Sequence, residues 1–166
     1  IDRKYDNMLK VSTDGRKAAL DLSLVSRKQN YDEHSKVFRC VENVVALYNQ
    51  QPNATQLIFC DYSTPKAEQF NVYAELKRRL VEKGIPEKEI AFIHSYQTES
   101  RKVELFRKFN AGEMRILIGS TFKLGIGANV QRKLKAVHHL DVPWRPADMV
   151  QREGRIIRRG NENETV

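Results

Sequence analysis

The chain has 166 residues, enough for one domain with a proper core and too few for two large ones. Its 40% hydrophobic and 30% charged residues are those of an ordinary soluble globular protein, and no apolar run is long enough to span a bilayer. The net charge of +8 favours a polyanionic partner, nucleic acid ahead of an anionic membrane, although a plain basic surface would carry the same excess.

Cys40 and Cys60 are too few for a disulfide framework or a metal knuckle. Cys60 lies in an apolar run and reads as a buried thiol. This usage, with no signal peptide visible, implies a reducing, cytoplasmic compartment. The chain opens on Ile1 and stops at Thr165-Val166 as a new apolar run begins, which reads as a piece of a larger protein.

Residues 1–34 are polar and read as a leader or interdomain connector. Within them Asp14-Gly15 is a turn signal, with a short helix expected after it. Asp32-Glu33-His34 has the look of an acidic box, but no apolar strand precedes it. Residues 35–166 read as a single lobe. From Ser35, Val37, Val41, Val44, Val45 and Tyr48 fall on one helical stripe. Gln56–Cys60 is a short apolar run suited to a buried strand. Thr64-Pro65 predicts a cap and first-turn proline for the next helix, with Phe70, Tyr73, Leu76 and Leu80 inward and a stop at Gly84. A second strand covers Ile90–His94. Val103, Phe106 and Phe109 mark a helix ending at Asn110–Gly112. Strands at Arg115–Gly119 and Ala136–Asp141 follow, and a helix after Pro146 closes the series.

This alternation predicts an α/β domain with a parallel sheet and helices on both faces. In such sheets ligands sit at the carboxyl ends of the strands. Those ends are Asp61–Thr64, His94-Ser95, Ser120-Thr121 and Asp141–Trp144. Gln151, Arg155 and Arg158, spaced four and three apart, would share one face of the last helix. A guanidinium there can grip a terminal phosphate and stabilise transition-state charge. Gln151 would orient the arginines or touch the nucleotide. A solvated basic helix face is the plainer alternative.

Gly125, Gly127 and Asn129, in GIGAN after a strand, allow close backbone approach to a phosphate, or simply a tight turn. Ser120 and Thr121 can donate to a nucleic-acid backbone or cap the next element, and Lys123 adds charge. His138 and His139 are adjacent on a strand, so they point to opposite faces and cannot readily share a metal. Trp144 is expected to wedge its loop. No G-x-x-x-x-G-K-[ST] phosphate loop occurs, so the chain can complete an ATP site but not form one.

STFKLGIGANV resembles motif V of superfamily-two helicases in its Swi/Snf form. DVPWRPADMVQREGRIIRRG resembles the Swi/Snf D-x-x-W-N-P turn leading into motif VI. QLIFCDYS is similar to motif IV, and RKVELFRKFNAG to the helix before the motif V strand. This resemblance implies the second RecA-like lobe of a DNA-dependent ATPase motor. Arg155 and Arg158 would then be arginine fingers for ATP and Mg²⁺ held mainly by a first RecA-like lobe. Gln151, Gly125, Gly127 and Asn129 would line the interlobe cleft, while Ser120, Thr121, Lys123, His94 and Ser95 would face DNA.

Arg145 replaces the usual Asn of this pattern, Gly154 the common Asp and Asn161 a frequent Gln. Duplex translocation and strand separation therefore both stay open. An RNA helicase is disfavoured by the W-x-P and G-x-G-x-N details, and a non-catalytic nucleic-acid-binding module is the rival of another class. DNMLKVSTDGRKAALDLSLV resembles a segment of phage and mobile-element proteins that carry an adenine-specific DNA methyltransferase beside such a motor. A fused methyltransferase is the partner this implies.

Overall fold

The computed structural model describes residues 7–26, 33–65, 70–125 and 128–166. Strands β1 (Thr55–Phe59), β2 (Ile90–Phe92), β3 (Ile116–Gly119) and β4 (Leu134–His139) form one parallel sheet in the order β2-β3-β1-β4. Helices α1 (Met8–Leu20) and α2 (Lys36–Gln50) precede the strands, α3 (Val72–Glu82), α4 (Glu99–Ala111) and α5 (Thr121–Gly125) run between them, and α6 (Pro146–Glu153) follows.

Strand pleat explains the two cores. Side chains alternate across β1, so Ile58 and Cys60 face one side while Leu57 and Phe59 face the other. On the first side they meet Val37, Val41 and Val44 of α2 and Tyr73, Leu76 and Leu80 of α3. On the second they meet Leu105 and Phe109 of α4 and Leu124 of α5. The central strand is buried on both faces, which is why it reads as an unbroken apolar run. The fold is RecA-like, with helices on both sides as expected.

Both cysteines are free and buried, and burial pushes the Cys40 thiol up to about 12. At the amino end of the sheet Arg115 is buried and donates to the carbonyls of Tyr48, Gln51 and Ala54, at 3.0, 2.7 and 3.2 Å. Its guanidinium lies 3.6 Å from the Tyr48 ring centroid. One side chain thus satisfies carbonyls at the end of α2, where the helix dipole favours a cation.

Four expectations need correction. Asp14-Gly15 does not turn the chain: α1 runs through it from an Asn7 cap to Leu20, whose burial outweighs the roughly 1 kcal/mol that a mid-helix glycine costs. Helix α3 starts at Val72 with Asn71 as its cap, and Thr64-Pro65 lies well ahead of it; Phe70 is half-buried before the helix begins. In α4, Val103 is 66% exposed and the buried pair is Leu105 and Phe109, four residues apart. Trp144 does not wedge its loop, being 72% exposed. The end of α4 is as expected: Gly112 takes φ +82°, a left-handed C-cap that suits glycine.

Candidate functional site

The carboxyl ends of the strands are drawn together by one arginine. Arg152 stands in the last turn of α6 and is fully buried. Its Nε donates to Thr121 Oγ1 at 2.8 Å, and its Nη1 to the Asp141 carbonyl at 2.6 Å. Its Nη2 reaches Asp61 Oδ2 at 2.7 Å and Asp141 Oδ1 at 3.0 Å. Asp61 follows β1, Thr121 follows β3 and Asp141 follows β4, so a single guanidinium joins three loops to α6.

The carboxylates find further donors. Asp61 accepts from the Thr121 amide and hydroxyl, both at 2.7 Å. Asp141 Oδ2 accepts from the amides of Asp61 and Tyr62, at 2.5 and 3.0 Å. A buried ion cluster survives desolvation only when its remaining lone pairs are satisfied in this way. Gly119 permits the approach of the β3 loop: a Cβ there would lie 2.3 Å from Leu124 Cδ1 and 2.7 Å from Ile93 Cγ2. Sequence reasoning passed over Arg152. The available signal was an Asp just beyond each of two strands, each needing a cation.

The expected shared helix face of Gln151, Arg155 and Arg158 is not formed. Helix α6 ends at Glu153, where the Gly154 amide bonds the Val150 carbonyl at 2.8 Å. Tighter turns follow, with Arg155 N to Arg152 O and Ile156 N to Glu153 O, and they redirect the chain. Arg155 is consequently buried, its Nη1 donating to the Ala128 carbonyl at 3.1 Å, while Gln151 and Arg158 are exposed. Burial, then the Arg158 charge, lowers the Arg155 pKa. The two guanidiniums are thus within electrostatic reach, one held by the fold and the other presented to solvent. Such a pair fits the anionic end of a nucleotide. Asp61 and Asp141, by contrast, are engaged with Arg152, Thr121 and backbone amides, so the donor set here suits phosphate rather than Mg²⁺.

The other predicted residues are spread along the same edge. Ser120 is buried and its Oγ accepts from the Lys123 amide at 3.4 Å, a capping role. The Thr121 hydroxyl proton goes to Asp61, so this side chain positions the loop instead of facing outward. Lys123, Ser95 and Asn129 are exposed, and the Asn129 carbonyl is held by Asn110 Nδ2 at 2.7 Å. His94 packs edge-on to Tyr73 at 5.3 Å; burial and then the Lys123 charge lower its pKa, with Asp61 opposing. Gly125 ends α5, and Gly127 lies outside the described residues.

His138 and His139 do diverge. His138 Nε2 lies 2.9 Å from Gln56 Oε1, and Gln56 Nε2 donates to the Val44 carbonyl, so the histidine is the donor of its pair. Burial, helped by His139, lowers its pKa to about 4. His139 stacks on Phe59 instead. Among the described residues no group of three or more metal-ligating side chains comes together, and no helix is long and apolar enough to cross a membrane.

The model of the helicase conserved C-terminal domain matches residues 36–160. The chain is 28% identical over 124 residues to the ATP-dependent RNA helicase DBP8 of Candida albicans, covering 75% of the chain and 26% of that protein. It therefore spans about a quarter of that relative's length. A segment of 58 residues is 38% identical to the defense against restriction protein B of Escherichia phage P1, covering 35% of the chain and 2% of that protein. Among solved structures, the C-terminal part of the Fun30 ATPase domain superposes with a TM-score of 0.59 at 18% identity, over 99% of this chain and 50% of that one. That last likeness is one of fold.

Proposed function

The chain belongs to the helicase conserved C-terminal domain family, and on that premise we propose that it is the second motor lobe of an ATP-dependent DNA helicase or translocase. The observation that carries this reading is the Arg155–Arg158 pair, set on a turn that Arg152 fixes to three strand ends. ATP bound to a first lobe with Mg²⁺ supplies the phosphoryl group whose transfer to water drives a motor. Arg158, exposed and permanently charged, reaches across the cleft to the terminal phosphate. Arg155, buried with its guanidinium on the Ala128 carbonyl, adds positive potential behind the same phosphate. Gln151 lies one turn away on the exposed side of α6 and lines the nucleotide. Gly125, Gly127 and Asn129 line the same cleft.

Lys123 and Ser95, with His94 and Ser120 behind them, face the nucleic-acid backbone, and binding falls with salt accordingly. Thr121 serves that surface by holding its loop. Preference for DNA rests on the D-x-x-W-x-P and G-x-G-x-N features. A second reading, RNA, has the similarity to the DBP8 helicase in its favour. The similarity to a phage protein supports a phage or mobile-element origin, and the resemblance of the leader segment is what supports a fused adenine-specific methyltransferase.

The test is ATP turnover by the polypeptide in which this lobe accompanies its phosphate-binding lobe. Duplex DNA, single-stranded DNA and RNA are compared as activators. Stimulation by DNA, with Arg155→Ala slower by roughly a thousandfold, is expected. Stimulation by RNA alone would move the protein to the second reading. Binding without turnover would make it a non-catalytic nucleic-acid-binding module.

A further inference from the structure

Helix α1 lies ahead of the family-matched residues, yet its Arg16 touches the loops that follow β1 and β4. The Arg16 guanidinium lies 3.6 Å from the centroid of the Trp144 ring and 5.5 Å from that of Tyr62, and Nη1 donates to the Tyr62 hydroxyl. Tyr62 belongs to the loop after β1, and its amide is held by Asp141. Trp144 belongs to the loop after β4, two residues before Pro146 opens α6. Arg16 therefore bridges the same two loops that Arg152 joins from inside.

The arrangement has an anchor and a need. Leu20 seats the end of α1 in the core, and buried Asp21 accepts from the Ser23 amide at 2.8 Å to fix the turn that follows. Val142 and Trp144 are 61% and 72% exposed, so the core does not hold their segment. Arg145, at the N-cap of α6, makes no side-chain capping bond. The Arg16 guanidinium lies over one face of Trp144. A planar cation can lie flat on an indole while bonding a phenol oxygen, which an ammonium cannot match.

We propose that Arg16 is a positioning residue: by clamping Trp144 to Tyr62 it sets the start of α6 and so the placement of Arg155 and Arg158. This role rests on the motor-lobe reading, whereas the clamp itself does not.

Two measurements separate them. Trp144 is the sole tryptophan of the 166-residue chain, so acrylamide quenching of its fluorescence reports the clamp directly. Arg16→Ala should raise the quenching constant and Arg16→Lys should fail to restore it. Unchanged quenching in Arg16→Ala overturns the clamp. In the motor that includes the phosphate-binding lobe, Arg16→Ala and Trp144→Leu should each lower kcat by roughly tenfold with KM for ATP unchanged. The double variant should be no slower than either single one, since both break the same contact. Wild-type kcat in Arg16→Ala, beside a collapsed Arg158→Ala, overturns the positioning role and leaves the motor reading standing. Absence of ATP turnover in the wild-type polypeptide removes the motor reading and the positioning role with it, while quenching still decides the clamp.

Discussion

The two ends of the sheet each bury an arginine, and they use it differently. Arg115, at the amino end, donates to three carbonyls that all belong to residues 48–54, with Tyr48 beneath its guanidinium. Arg152, at the carboxyl end, bonds two carboxylates, a hydroxyl and a carbonyl drawn from three separate loops, with Phe59 4.9 Å away. The first closes off one helix. The second fixes the relative positions of segments far apart in the chain. A cation among neutral acceptors stabilises locally, whereas a cation between two acids also imposes geometry, and the exposed groups of the carboxyl edge depend on that geometry.

Removing each arginine in turn should have unequal effects. Arg152→Ala leaves the Asp61 and Asp141 carboxylates without their cation, and should cost about 3–5 kcal/mol by urea unfolding. Arg152→Lys should recover little, because one ammonium cannot span both acids and Thr121. Arg115→Ala should cost less, about 2 kcal/mol, since neutral carbonyls at a helix end can recruit water. It should leave nucleic-acid binding at the opposite end unchanged.

Titration sharpens the contrast further. The folded His138 pKa is about 4, below the ordinary 6.5, so the unfolded chain binds this proton more tightly. Its contribution to stability is complete above pH 6.5 and is lost as pH falls toward 4. His94 and His139, near the carboxyl end, are lowered in the same direction and add to the slope. Replacing His138 with Gln should flatten the stability profile between pH 6.5 and 4, measured by urea unfolding at each pH. Glu75, held down to about 2 by Arg78 and Arg79, contributes a loss only as pH drops below 4.5. The smallest stability change is expected of Arg158→Ala, within about 0.5 kcal/mol, because the side chain is exposed and makes no ion pair among the described residues.

Much of this fold was legible in the chain. Apolar runs at Gln56–Cys60 and Arg115–Gly119 stand between helical stripes, and strand and helix alternate in a way that few architectures permit. The carboxyl edge followed from that alternation. What local pattern could not carry was Arg152, whose burial depends on residues 61, 121 and 141 meeting in space. The turn after α6 was hidden for a related reason. Spacings of four and three describe a helix only while the helix lasts, and it stops at Glu153, beyond which the Arg155 and Ile156 amides bond carbonyls only three residues back. Asp14-Gly15 misled because Leu20 and Arg16 tie α1 to partners outside its own sequence.

If this edge completes a nucleotide site, Arg158 is the residue whose loss should show it. The measurement is kcat for ATP at saturating DNA, for wild type and Arg158→Ala, in the polypeptide that also carries the phosphate-binding lobe. A fall of roughly a thousandfold, with unfolding unchanged, is the predicted result. Wild-type turnover in the variant would contradict the account.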